Sequence, residues 1–301
     1  MSVATDERPH LRDHRRSERT FAWLSMTPAI LLVGALIVVP LGWAVWTSLH
    51  RTNGVRSEWV GLQNFTDQLT SRQFWEILLN NAIFLLAVPL VLTLATVSAI
   101  LIYERVRWWG FFRIALFLPT VISTVVVGIL FRTLFSLDGP VNRIIDLFGG
   151  TPVDWLGGST TARSVIIIAL AWGGFGYGMM VLLSGLSSID PAVFEAARID
   201  GAGWFRRTRS ITVPLLSGQI RFVSVLNVSY TFTSLFGYVF VMTSGGPGFS
   251  TTTLDYYVYQ RAFVASQFGT AAALALILFL IVIVLTVIQF RLTAVDDGEP
   301  R

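Results

Sequence analysis

The sequence predicts an all-α membrane protein with six transmembrane helices, and three observations carry this. The 301-residue chain is 53% hydrophobic and 13% charged, too apolar for a soluble domain of its size. Its apolar residues gather in long runs, each able to cross a hydrocarbon core of about 30 Å. All 22 of its Lys/Arg residues are arginine, and they border those runs instead of forming one stripe.

Composition also excludes function classes. There is no cysteine, so disulfides and thiolate metal sites are ruled out. The histidines are His10, His14 and His50, two in the charged N-terminal stretch and one at a membrane edge. The net charge of +4 reads as membrane topology, not as a nucleic-acid surface.

Residues 1–20 are polar, arginine-rich and without apolar periodicity, so a disordered cytoplasmic tail is expected. The following run, Phe21 to Leu49, is too long for a signal-peptide core and has no A-x-A-like cleavage site. It reads as the first span, followed by an outer loop to residue 73. Further spans are expected near Phe74–Tyr103, Gly110–Leu137, Ser164–Ser187, Gln219–Met242 and Phe268–Arg291. Loops fall at 104–109, 138–163, 188–218 and 243–267, and a C-terminal tail at 292–301. The segment 139–149 reads as a short amphipathic helix on the outer surface. The arginines favour one side of the membrane by about two to one, which sets both termini inside and the 188–218 loop in the cytoplasm.

That loop is the most informative stretch. Asp190 suits a helix N-cap and Pro191 the first helical position, where a missing N–H costs nothing. Ala192 to Ile199 then reads as helix. Asp200-Gly201 signals a turn. A second short helix is expected from Gly203 to about Ser210, ended by Val213-Pro214 because the residue before proline is pushed out of the α region. Phe194, Ala197, Trp204 and Phe205 form an apolar face. Glu195, Arg198, Arg206, Arg207 and Arg209 form a charged one. Such a pair is suited to being gripped by a soluble partner, and it would equally serve as a loop whose arginines only set topology.

The fifth span is unusually polar. Asn227, Tyr230, Thr231 and Ser234 follow i, i+3, i+4, i+7 and share a helical face. Polar groups in hydrocarbon need partners or a wet path. They either line a route for a hydroxyl-rich solute, with nearby aromatics to stack on it, or bond neighbouring helices. In the fourth span, Trp172-Gly173-Gly174-Phe175-Gly176-Tyr177-Gly178 permits close subunit packing, or a hinge in the route. No phosphate-cradling Walker A pattern, no G-x-S-x-G elbow and no H-E-x-x-H helix occurs. The chain is therefore expected to be no enzyme.

The segment EAARIDGAGWFRRTRSITVPLL resembles the EAA loop of ABC importer permeases. Glu195-Ala196-Ala197, Asp200-Gly201-Ala202 and Ile211, Pro214, Leu215, Leu216 stand in the pattern E-A-A-x-x-D-G-A followed by Ile-x-x-Pro-Leu-Leu. Val60-Gly61-Leu62, Asn64-Phe65, Phe74-Trp75, Asn80, Pro89, Arg113, Leu118-Pro119-Thr120, Gly139-Pro140 and Asn142 extend the likeness. So does Thr243-Ser244-Gly245-Gly246-Pro247-Gly248 with Ser250-Thr251, similar to one subunit type of the carbohydrate importers. Asn80-Asn81 departs from the usual Asn-Thr, and Ser217-Gly218 from a usual proline.

The resemblance implies a type I ABC importer permease fold in a bacterial inner membrane, with residues 74–291 as the permease domain. The loop over 188–216 would be the coupling element, with Glu195, Ala196, Ala197, Asp200, Gly201, Ala202, Trp204 and Phe205 docking on an ATPase. ATP and magnesium would be held by that partner, with no cofactor in this chain. The other implied partners are a second permease, an extracytoplasmic solute-binding protein and a carbohydrate or polyol. The competing class is a stand-alone secondary transporter or channel.

Overall fold

The computed structural model describes residues 10–294. Helix α1 (His10–Ser48) begins inside the stretch expected to be a structureless tail, so that expectation fails over 10–20. The first nine residues lie outside the described part, as do 295–301. The expected C-terminal tail begins later than residue 292, because the last helix reaches Ala294.

Leu36, Ile37, Val38 and Val39 in α1 are 67%, 61%, 65% and 67% exposed. Four consecutive residues circle the helix, so α1 is bare all round at this level, as a span bounded by lipid or by another subunit requires. Two short strands, β1 (His50–Thr52) and β2 (Ser57–Trp59), then pair antiparallel with His50 opposite Trp59. Helix α2 (Gln63–Leu69) follows, and the buried Asn64 donates to the carbonyls of Ser48 and His50 at 2.8 and 3.0 Å. The outer loop expected over 50–73 is thus a folded cap.

Helices α3 (Arg72–Phe84) and α4 (Ala87–Tyr103) form the second span with a kink at Leu85-Leu86. Pro89 is the cause: it has no N–H for the Leu85 carbonyl, which accepts from Val88 N instead at 2.9 Å. The third span departs from expectation. It consists of α5 (Trp109–Val121) and α6 (Thr124–Leu134), bent by 101°. Ile122 and Ser123 are extended there, with ψ 137° and 140°, so the helix stops in mid-span.

Helix α7 (Pro140–Leu147) is the short helix expected near 139–149. Its buried Asn142 donates to Leu137 O and Val153 O and accepts from Val153 N and Trp155 Nε1, which ties the 136–155 loop together. Helix α8 (Ser159–Ser188) is a single rod of 30 residues. Then come α9 (Pro191–Ile199), α10 (Trp204–Arg207), a π-turn over Thr208–Thr212, α11 (Val213–Leu215) and α12 (Ser217–Thr233). The fifth span ends with α13 (Phe236–Met242) after a break at Ser234-Leu235. The expected loop over 243–267 contains α14 (Leu254–Tyr259) and a second π-turn, and α15 (Phe268–Ala294) closes the chain beside α1.

Among the described residues four helices are long and apolar enough to span, and the count reaches six if each of the two bent pairs is one span. The core is built on α8. Its Ala171, Phe175, Met179 and Leu182 pack on Val91, Ala95 and Ala99 of α4. Small residues set the approach, for a Cβ on Gly178 would stand 3.1 Å from that of Ala95. At the end opposite α9, Val165, Ile166, Ala169 and Leu170 meet Val127 and Phe131 of α6, Leu235 at the break, and Val239 and Met242 of α13.

Asn80 and Asn81 hold this opposite end together. Asn80 donates to Phe249 O and Thr252 O at 2.7 and 2.9 Å and accepts from Arg163 Nη2 at 2.8 Å. Asn81, fully buried, accepts from Leu254 N at 2.9 Å and donates to Thr231 O at 3.3 Å. Asn81→Leu leaves the buried Leu254 N–H unpaired, which costs about 1–3 kcal/mol. A thermal melt in detergent is expected to show a midpoint lowered by several degrees, whereas Asn81→Thr should retain an acceptor and lose less.

Candidate functional site

Two regions of the molecule carry the sequence-predicted residues, one where α8 leads into α9 and one beside the middle of α8. The first is the α9–α10 pair. Asp190 caps α9, its Oδ1 accepting from Ala192 N at 2.9 Å, and Pro191 follows at the first position. The helix ends in a Schellman turn, with Ala202 N donating to Ala197 O at 3.0 Å and Gly201 N to Arg198 O at 3.1 Å. Gly201 adopts φ +71°, and a Cβ there would meet nothing within 4 Å. The glycine is therefore required by the left-handed backbone and not by lack of room.

The exposed surface of the pair is mixed. Glu195, Ala196, Arg198 and Asp200 are exposed, Ala202 is half-buried, and Ala197 is buried against the chain itself. Phe194 also turns inward, its ring 5.6 Å from that of Tyr103 at the end of α4. Phe205 is 69% and Ile199 87% exposed. Ile199 was not singled out in the sequence, because a lone isoleucine between two motif halves carries no local signal. Arg207 does not join the charged outer face. Its Nη2 turns back to Glu104 Oε1 at 3.0 Å, and Trp204 Nε1 donates to Glu104 Oε2 at 3.1 Å.

The expected end of the second helix at Pro214 is also corrected. Thr212 and Val213 are both α-helical, and the chain continues through α11 before bending by 72° into α12. The π-turn over Thr208–Thr212 supplies the adjustment, so Pro214 stands at the start of a fresh helical segment, where it needs no N–H donor.

The second region is a cleft of about 430 Å³ between α5, α8 and α12, lined by Thr120, Gly173, Gly174, Tyr177, Leu226, Asn227, Tyr230 and Thr233. Of the four expected residues on α12, Asn227 and Tyr230 line it. Thr231 is only 3% exposed and faces away. Its hydroxyl donates to Asn227 O within α12 at 2.8 Å and its backbone carbonyl accepts from Asn81 of α3 at 3.3 Å, so its side chain neither lines the cleft nor bonds another helix. Ser234 sits at the C-terminal cap of α12 beside the Thr233 hydroxyl, at the break before α13, and does not line the cleft. The cleft face is thus rotated from the expected one, with Thr233 in place of Thr231 and Ser234.

The glycine stretch resolves as well. Helix α8 continues through it without a break. A Cβ on Gly173 would stand 2.5 Å from the Tyr238 hydroxyl, and one on Gly176 would stand 2.8 Å from Leu116 O. These positions pack helices within the chain. Gly174 instead opens onto the cleft, with Asn227 Oδ1 3.7 Å from where its Cβ would be. Asn227 Nδ2 is engaged by Val223 O at 2.8 Å, which leaves its oxygen toward the cavity.

No charged side chain lines the cleft. Asp255, outside the cleft lining, accepts from Phe236 N at 2.7 Å and so caps α13 at the break in the fifth span. Burial pushes its carboxyl above the ordinary carboxylate range, opposed by its bonds to Thr253, Tyr256 and Phe236. Among the described residues no group of three or more His, Asp and Glu could hold a metal ion.

Residues 92–294 match the family described as binding-protein-dependent transport system inner membrane component. The chain belongs to this family. This makes it a multi-pass inner-membrane permease subunit, and it removes the stand-alone secondary transporter or channel. The permease is 36% identical over 275 residues to the lactose transport system permease LacF of Rhizobium radiobacter, covering 89% of this chain and 92% of that one. It is 34% identical to the sn-glycerol-3-phosphate permease UgpA of Agrobacterium fabrum, covering 89% and 93%. It is 29% identical to the trehalose/maltose permease MalF of Thermococcus litoralis, covering 91% and 94%. Its fold matches a chain of a bacterial ABC transporter involved in import of the acidic polysaccharide alginate, with TM-score 0.78, 21% identity, and 96% and 99% of the two chains covered.

Proposed function

We propose that this permease is one of two membrane subunits of an ATP-driven ABC importer for a carbohydrate or related polyol. The single observation that carries the solute class is the lining of the cleft. Thr120, Tyr177, Asn227, Tyr230 and Thr233 offer hydroxyls, one amide and aromatic rings, with no charge. Such a set hydrogen-bonds and stacks on a hydroxyl-rich ring, and it would leave a phosphate or carboxylate without a counter-charge. Relatives are named for lactose, for trehalose/maltose and for sn-glycerol-3-phosphate, so the neutral-sugar reading rests on the lining of the cleft.

The cleft is open on one side, and a second permease closes it. With both termini in the cytoplasm, the arginine bias sets α9 and α10 on the ATP side. There Glu195, Ala196, Ala197, Asp200, Gly201, Ala202, Trp204 and Phe205 belong to the coupling element, with Ile199 added as its most exposed apolar residue. Magnesium and ATP belong to the partner ATPases. An extracytoplasmic solute-binding protein delivers at the opposite end, where the β1–β2 hairpin and the 243–253 loop lie.

The test is uptake into vesicles containing the whole importer. Transport of a neutral sugar that requires both ATP and the binding protein is the expected result. Uptake driven by an ion gradient without ATP would overturn the ATP-driven reading. A preference for a phosphorylated polyol would overturn the neutral-sugar part alone.

A further inference from the structure

Glu104 caps the C-terminus of α4, which is the wrong end for it. A helix C-terminus carries partial negative charge and favours lysine or arginine, so a carboxylate there opposes the local electrostatics. Its presence requires a partner from elsewhere, and the partners lie 100 and 103 residues on. Oε2 accepts from Trp204 Nε1 at 3.1 Å and Oε1 from Arg207 Nη2 at 3.0 Å. The Arg207 and Glu104 side chains are 17% and 26% exposed, so the pair is largely shielded from solvent and screened less than a surface bridge.

Trp204 and Arg207 are i and i+3, on one face of α10. The preceding residue on α4, Tyr103, carries the ring of Phe194 from α9. Adjacent residues at one helix end therefore fasten both helices of the pair. Helix α4 in turn packs along α8, which lines the cleft. From this arrangement we infer that Glu104 is a positioning residue for coupled transport. It makes α9, α10 and the end of α4 one rigid body, so that a displacement of the loop is passed to the helices around the cleft.

The inference rests on the importer reading above, and the experiment separates the two. The complete importer is reconstituted in vesicles, and sugar uptake and ATP hydrolysis are read together. Wild type must couple the two; failure there sinks the importer reading, and this inference with it. Given coupled wild type, Glu104→Ala and Arg207→Ala are expected to raise the ATP hydrolysed per sugar at least fivefold, with the complex intact on gel filtration. The exchange Glu104→Arg with Arg207→Glu restores the ion pair but not the indole bond, since an arginine cannot accept it. It is expected to recover most of the ratio. Unchanged ratios in the single variants overturn the inference. So does a loss of uptake that merely parallels loss of assembled complex, or an exchange no better than its parents.

Discussion

Replacing Glu195 by arginine is expected to reduce sugar uptake at least about 30-fold while leaving the permease inserted and folded. The side chain is exposed and, among the described residues, no salt bridge holds it within the chain, so the fold does not depend on it. Its neighbours set the surroundings. Ala196 is small, Ile199 is 87% exposed and apolar, and Phe205 is 69% exposed. Once a partner covers that face, the carboxylate is taken out of water beside apolar groups and must meet a cation. Breaking a buried interfacial charge pair costs about 2–5 kcal/mol, and tenfold in affinity corresponds to about 1.4 kcal/mol. The lower figure gives the factor stated. Uptake at constant amounts of membrane-inserted permease is the measurement, with Glu195→Gln expected to fall between. Normal uptake by Glu195→Arg would remove the residue from the docking role.

Filling the cleft from Gly174 is the second large effect expected. A Cβ at this position meets only Asn227 Oδ1 and Val91 Cγ2, both at an ordinary 3.7 Å. Gly174→Ala is therefore expected to be tolerated, and the helical preference for alanine over glycine adds up to about 1 kcal/mol of stability. Gly174→Leu carries its branch into the cavity between Asn227 and Tyr177. Sugar uptake should fall at least about tenfold with a melting midpoint near that of wild type. The adjacent Gly173 provides the contrast, since its Cβ would stand 2.5 Å from the Tyr238 hydroxyl. Gly173→Ala should lower the melting midpoint, because Tyr238 packs in the core and must move. If Gly174→Leu transports normally, the solute does not pass through this cleft.

These two sites differ in how far the sequence exposes them, and the difference has a physical origin. Asp190-Pro191 and Asp200-Gly201 were legible because a cap and a Schellman turn are formed by residues within a few positions of one another. The span positions were legible because apolar length is a local property. The break at Ile122-Ser123 was not, for the run around it is as apolar as any span and extended backbone leaves no mark in composition. Arg207 read as a solvent-facing cation because its acid stands 103 residues away. Thr231 and Thr233 are the same residue type two positions apart, and the sequence contains nothing to say which faces the cleft. The structure buries Thr231, with its carbonyl bonded by Asn81, and turns Thr233 to the cleft. The Asn80-Asn81 pair, a departure from the usual family pattern, is where the opposite end is tied.

Helix α8 has a mechanical consequence. Its 30 unbroken residues make a rod of roughly 45 Å, with Arg163 near one end, the cleft glycines midway, and Ser188 leading into α9 at the other. Stiffness of this kind turns rotation into displacement, and a tilt of about 5° swings the far end of such a rod by roughly 4 Å. The fulcrum is set by whichever end is better anchored. Arg163 bonds Ser250 O at 2.7 Å and Asn80 Oδ1 at 2.8 Å, which pins the end far from α9. The lever therefore has its long arm on the side of α9 and α10, so a few ångströms of motion there become a smaller, more forceful shift at the walls of the cleft.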